Sequence, residues 1–142
     1  MRLILVATDG SAGAGRAVDA AAAFAKAFDA DLLVVTIAGT SWDREIEEFA
    51  RSEGDLGEAV DLLVNAILRE AKERGERGGA PRIRTSFGWG DAAEGILEII
   101  SRERPDIAIL GRRGRGRLTG LLLGSVSQKL VSLAPCPVTV VP

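Results

Sequence analysis

The sequence predicts one doubly wound α/β sandwich built on five parallel strands. Two patterns predict it. Short apolar runs alternate with stretches whose apolar residues recur at helical spacing, giving β-α-β-(loop)-α-β-α-β-loop-α-β. A strand, a helix and a strand in that order also imply a parallel crossover. Length sets the scale: 142 residues with 46% hydrophobic and 27% charged content fit a single domain with a real core, spanning 1–142.

The elements follow in order. Residues 2–10, RLILVATDG, open with an apolar run and stop at Asp9-Gly10, as a buried strand does. Residues 11–30 carry Ala17, Ala21, Phe24, Ala25 and Phe28 at helical spacing, with Ser11 in position to cap the helix. Residues 31–39, DLLVVTIAG, form a second apolar strand. Residues 40–57 are acidic and irregular and read as a variable, mobile excursion with a helical piece around 43–51. Residues 58–76 are amphipathic, with Ala59, Leu62, Leu63, Ala66, Ile67 and Ala71 on one face, and RGGAP at 77–81 breaks that helix. Residues 82–90 alternate as a half-buried strand. Residues 91–104 place Ala93, Ile96, Leu97 and Ile100 on one helical face, with Asp91 near the start. A fourth strand at 105–111, a short helix from about Ser125 to Leu133 and a fifth strand at 135–142 complete the chain.

Composition excludes several function classes. A net charge of −2 does not describe a nucleic-acid binder. No run approaches the ~18 apolar residues of a membrane span, and the apolar N-terminal run is too early and too short for a signal peptide. The expected location is the cytoplasm. Cys136 is the single cysteine, set between prolines at a strand entrance, and reads as structural. The chain has no histidine, which removes histidine triads, histidine metal ligands and the usual neutral-pH proton shuttle. Trp42 and Trp89 have two readings, an interface or, more commonly for isolated tryptophans, the filling of packing gaps.

Chemistry concentrates in GRRGRGRLTGLLLGSVSQKL, residues 111–130. Ligands in doubly wound sheets sit beyond the carboxyl ends of the strands, where the strand order reverses. The segments 7–11, 37–39 and 111–117 leave those ends. Gly111 and Gly114 permit positive φ and close approach of a ligand to the main chain. Gly124 then opens a helix whose free N–H groups at Ser125, Val126 and Ser127 and whose dipole favour an anion. The hydroxyls of Ser125 and Ser127 can add donors. Arg112, Arg113, Arg115 and Arg117 raise the local positive potential. These ingredients suit a polyphosphate better than a single carboxylate. Common nucleotide fingerprints are missing: no Gly-Lys occurs for a P-loop, and DGSAGAG has the wrong spacing for a dinucleotide turn.

Gly111-x2-Gly114-x9-Gly124-Ser125 resembles the G-2x-G-9x-G-S/T signature of the ATP-binding branch of the universal stress protein family. ILVATDGSAGAGRAV, GDAAEGILEIISRERPDIAILGRRGRG and GSVSQKLVSLAPCPVTVV extend the resemblance over nearly the whole chain. It implies strand order 3-2-1-4-5, as in adenine-nucleotide hydrolase-like folds, and ATP held across the switch point. Ala7, Thr8 and Asp9 would face the adenosine, and Ile37 would pack on the adenine. Gly111, Arg113 and Gly114 would line the ribose and phosphates. Gly124, Ser125, Val126 and Ser127 would hold the phosphates with Mg2+ or Mn2+. Asp9 is the one candidate protein ligand for that metal, which the phosphates would mainly hold. Relatives often carry proline where Ala7 stands.

Plainer roles stand beside these. Asp9 can simply close a strand-to-helix turn, and Ser125 can be an N-cap. Arg115 and Arg117 have no assigned contact. The apolar strand 138–141 would be a sheet edge, and the resemblance implies a C2 homodimer paired there. The expected function is a regulatory ATP-binding protein of the stress response, probed by an unknown partner, with at most slow hydrolysis or autophosphorylation and no assigned catalytic residue. Two alternatives are an ATP-dependent hydrolase of the same fold and a nucleotide-independent dimeric partner-binding module. TDGSAGAG lacks the S-G-G-x-D-S order of the substrate-activating hydrolases.

Overall fold

The computed structural model describes residues 1–39, 48, 51, 56–112, 114 and 123–142. Most of 40–57, Trp42, Arg113, Arg115 and Arg117 lie outside the described residues, and within the helical piece expected around 43–51 Glu48 and Arg51 are helical. The elements are β1 (Leu3–Ala7), α1 (Ala12–Phe28), β2 (Asp31–Ala38), α2 (Leu56–Arg77), β3 (Arg82–Trp89), α3 (Ala92–Glu103), β4 (Ile107–Gly111), α4 (Ser125–Leu133) and β5 (Val138–Val141). The sheet is parallel throughout, in the order β3-β2-β1-β4-β5. The switch point falls between β1 and β4, where the chain turns from building one side of the sheet to building the other.

Central strands covered on both faces explain the unbroken apolar runs in the sequence. Ile4, Val6, Leu32, Val34 and Ile109 pack beneath α1 and α2. Leu5, Ala7, Leu33, Val35, Ile37, Ala108 and Leu110 pack beneath α3 and α4. Each fully buried aliphatic side chain contributes about 1.5–3 kcal/mol relative to exposure. The buried face of α1 is almost all alanine: Ala14, Ala17, Ala21, Ala22 and Ala25 beside Val18. Short side chains let that helix lie close on the sheet, which matters at Gly111 below.

The strands at the two edges differ. β3 leaves Phe87 49% and Trp89 59% exposed, in an edge-to-face pair with ring centroids 6.1 Å apart. Trp89 is therefore a surface residue and not the gap-filler expected; its neighbours on an edge strand cannot enclose it. β5 is half-buried along its length. Among the described residues, no helix is long and apolar enough to cross a membrane.

Candidate nucleotide site

Two strand-to-helix turns flank the switch point, and their chemistry differs. In the β1–α1 turn the local polar groups satisfy one another. Asp9 Oδ1 accepts the Ser11 N–H at 2.9 Å, and Thr8 Oγ1 accepts the Gly10 N–H at 3.2 Å. Ser11 Oγ caps α1 by accepting the Ala14 N–H at 3.2 Å. Gly10 has φ 80°, a conformation that other residues adopt only under strain. Asp-Gly-Ser is thus a sequence for a sharp, self-capped turn.

The start of α4 is built otherwise. Its N-cap is Gly124, not Ser125, and it has no side-chain cap. The first intrahelical bond runs from the Gln128 N–H to the Gly124 carbonyl at 3.0 Å. The N–H groups of Ser125, Val126 and Ser127 precede it and have no partner among the described residues. Three outward donors and the positive end of a nine-residue helix meet there.

Gly111 and Gly114 both stand in close contact with the β1–α1 segment. Gly111 is not among the positive-φ glycines, so at that position the conformational reason expected from sequence is not the operative one. A Cβ on Gly111 would stand 3.1 Å from the carbonyl carbon and oxygen of Gly13. A Cβ on Gly114 would run into Asp9 Oδ2. The end of β4 and Gly114 therefore lie against the β1–α1 segment, Gly111 beside Gly13 and Gly114 beside Asp9. Gly13 was not singled out from sequence, although a glycine in a helix's first turn is a signal of close approach. The Arg112 main chain was also missed, and no sequence signal marks it.

The remaining expected residues are distributed more widely. Ala7 and Ile37 lie in the apolar cluster under α3 and α4. Ile37 is 6% exposed and packs under Gly95, where an added Cβ would stand 2.8 Å from Ile37 Cδ1. Thr8 faces the opposite side of the sheet. It lines an open cleft of about 230 Å3 between α1 and α2 with Gly10, Ser11, Gly15, Glu70 and Arg74. None of the described residues among 111–127 lines that cleft. In it, Arg74 donates to both carboxylate oxygens of Asp19, at 2.7 and 2.8 Å. That fork holds the Asp19 carboxyl below the ordinary carboxylate range. Ser127 Oγ turns inward to main-chain carbonyls, which leaves the Ser127 N–H as its donor without a partner among the described residues.

Burial pushes the Cys136 thiol upward, which suits a structural residue and not a nucleophile. Among the described residues no cluster of three His, Cys, Asp or Glu side chains forms a metal site. A cation here would need oxygens from its ligand.

The model of the universal stress protein family matches residues 1–142. The chain belongs to that family. It is 38% identical over 143 residues to a universal stress protein of Thermus aquaticus, covering 99% of this chain and 98% of that one. Among solved structures it matches the protein MJ0577 with a TM-score of 0.80 at 26% identity, covering 99% and 94% of the two chains. It also matches a universal stress protein crystallised in complex with cAMP, at TM-score 0.74 and 27% identity over 99% and 95%. The fold and the family are thereby those the sequence suggested.

Proposed function

We propose that this universal stress protein is a cytoplasmic regulatory protein of the stress response that binds ATP with Mg2+ or Mn2+ at the β1/β4 switch point. The observation that carries this reading is the uncapped start of α4 beside a glycine-lined loop. Ser125, Val126 and Ser127 offer phosphate three main-chain donors, and Gly111 and Gly114 lie close against Gly13 and Asp9. Ala7, Thr8, Asp9 and Ile37 are assigned the adenosine end, and Arg113 the phosphates. Asp9 and phosphate oxygens would share the cation. Hydrolysis would be slow: the chain has no histidine, and one oxygen of Asp9 is engaged by the Ser11 N–H.

A related protein binds cAMP, which favours a second reading in which a cyclic mononucleotide is the ligand. Thermal-shift titrations with ATP, ADP, AMP and cAMP, with and without Mg2+, separate the two. A ligand at about 100 times its Kd adds roughly 2.7 kcal/mol, or about 5–10 °C here. A larger shift with Mg-ATP supports the first reading, a shift with cAMP alone the second, and no shift with any of them ends both.

The same proposal includes a C2 homodimer. β5 is an apolar edge whose outer main-chain groups need cover, and a second copy of Val138–Val141 supplies a matching edge. Only monomer in sedimentation at micromolar concentration would exclude it.

A further inference from the structure

The serine at position 127 sits where a phosphate ligand is expected, yet its hydroxyl faces the protein. Ser127 is 2% exposed. Its Oγ–H donates to the Arg112 carbonyl at 2.8 Å and, more distantly, to the Gly124 carbonyl at 3.1 Å. Bonding to the carbonyl three residues back is common for a helical serine. Bonding to Arg112, fifteen residues away, is not local and has to be built. The same carbonyl accepts the Gly124 N–H at 2.8 Å. The Arg112 N–H in turn donates to the Val141 carbonyl at 2.7 Å, so this residue is anchored to β5 as well. Both ends of the 113–123 loop are therefore tied to one fixed carbonyl.

We propose that Ser127 is a positioning residue, whose hydroxyl clasps the Arg112 carbonyl and holds the loop mouth at a set width before any ligand arrives. The three donors at the start of α4 then need no rearrangement to receive phosphate, and preorganisation of that kind raises affinity without adding a contact. The effect on nucleotide binding rests on the function proposed above; the clasp itself does not.

The test uses the nucleotide-free, full-length protein. Trypsin cleavage after Arg112, at the bond whose carbonyl the clasp holds, reports release of that carbonyl. Ser127→Ala is expected to raise that cleavage rate about 3- to 10-fold, the range for one neutral hydrogen bond, and Ser127→Thr to restore it. Affinity for Mg-ATP should fall by the same factor in the alanine variant and recover with threonine. A hydroxyl that serves only as a phosphate ligand would lower affinity while leaving cleavage of the free protein unchanged, and that result overturns the clasp. Hydrogen exchange of the wild-type Gly124 amide covers the case in which the alanine variant does not fold. Strong protection without nucleotide is expected, and exchange at the rate of an open loop overturns the proposal. Should wild type bind no nucleotide, the cleavage and exchange results still decide the clasp.

Discussion

The β1–α1 turn and the start of α4 stand side by side at the switch point, and both lead from a strand into a helix. One caps itself with Ser11 and locks Asp9 onto Ser11. The other opens on Gly124 with no side-chain cap. α3 follows the first pattern, since Asp91 Oδ2 accepts the Glu94 N–H at 2.9 Å. The contrast teaches that the bare helix start is a local departure from the capping that α1 and α3 share. A glycine N-cap gives up only about a few tenths of a kcal/mol relative to serine or aspartate, and a phosphate can supply the acceptor that the glycine lacks.

The sharpest way to break the contrast is to make α4 resemble α1. Gly124 has φ −74° and ψ 172°, an extended N-cap conformation open to other residues. Gly124→Asp is expected to stabilise the free protein by about 1 kcal/mol through capping and the helix dipole. The same carboxylate would occupy the phosphate donors, so Mg-ATP affinity should fall at least ~100-fold by calorimetry, about 2.7 kcal/mol. Gain of stability with loss of binding is the signature to look for.

Gly111→Val tests the packing between the two turns. Its side chain meets the Gly13 backbone, which cannot rotate away, and overpacking of this kind costs typically about 1–3 kcal/mol in chemical denaturation. Ser11→Ala probes the self-capped side and should cost about 1 kcal/mol while leaving nucleotide affinity nearly unchanged. The smallest effect is expected at the opposite end of the same strands. The Asp106 carboxylate accepts the Arg2 and Leu3 N–H groups at 2.6 and 2.9 Å, and these bonds hold its carboxyl below the ordinary range. Its contribution is complete above the ordinary value of about 3.9 and is lost as pH falls through the lower folded-state value. Melting curves of wild type and Asp106→Asn should differ slightly at neutral pH and converge in acid.

Much of this architecture was legible in the sequence because the periodicities are clean. Apolar runs marked every strand but β3, which alternation marked, and Ser11 and Asp91 marked two helix starts. The spacing of Gly111, Gly114 and Gly124 pointed to the loop. What was not legible depends on contacts between segments far apart in the chain. The exposure of Trp89 follows from its edge position. The close contacts of Gly111 with Gly13 and of Gly114 with Asp9 reach across about a hundred residues. The inward turn of Ser127 depends on a main-chain carbonyl, which carries no sequence signature.

The central claim is that nucleotide phosphates are held by the uncapped start of α4, and amide NMR during an ATP titration tests it most directly. With Mg-ATP, the Ser125, Val126 and Ser127 amides should shift first and furthest, while those of Ala12–Ala14 in the capped turn of α1 move little. Shifts confined to the α1–α2 cleft around Gly15 and Arg74, or no shift at saturating nucleotide, would contradict it.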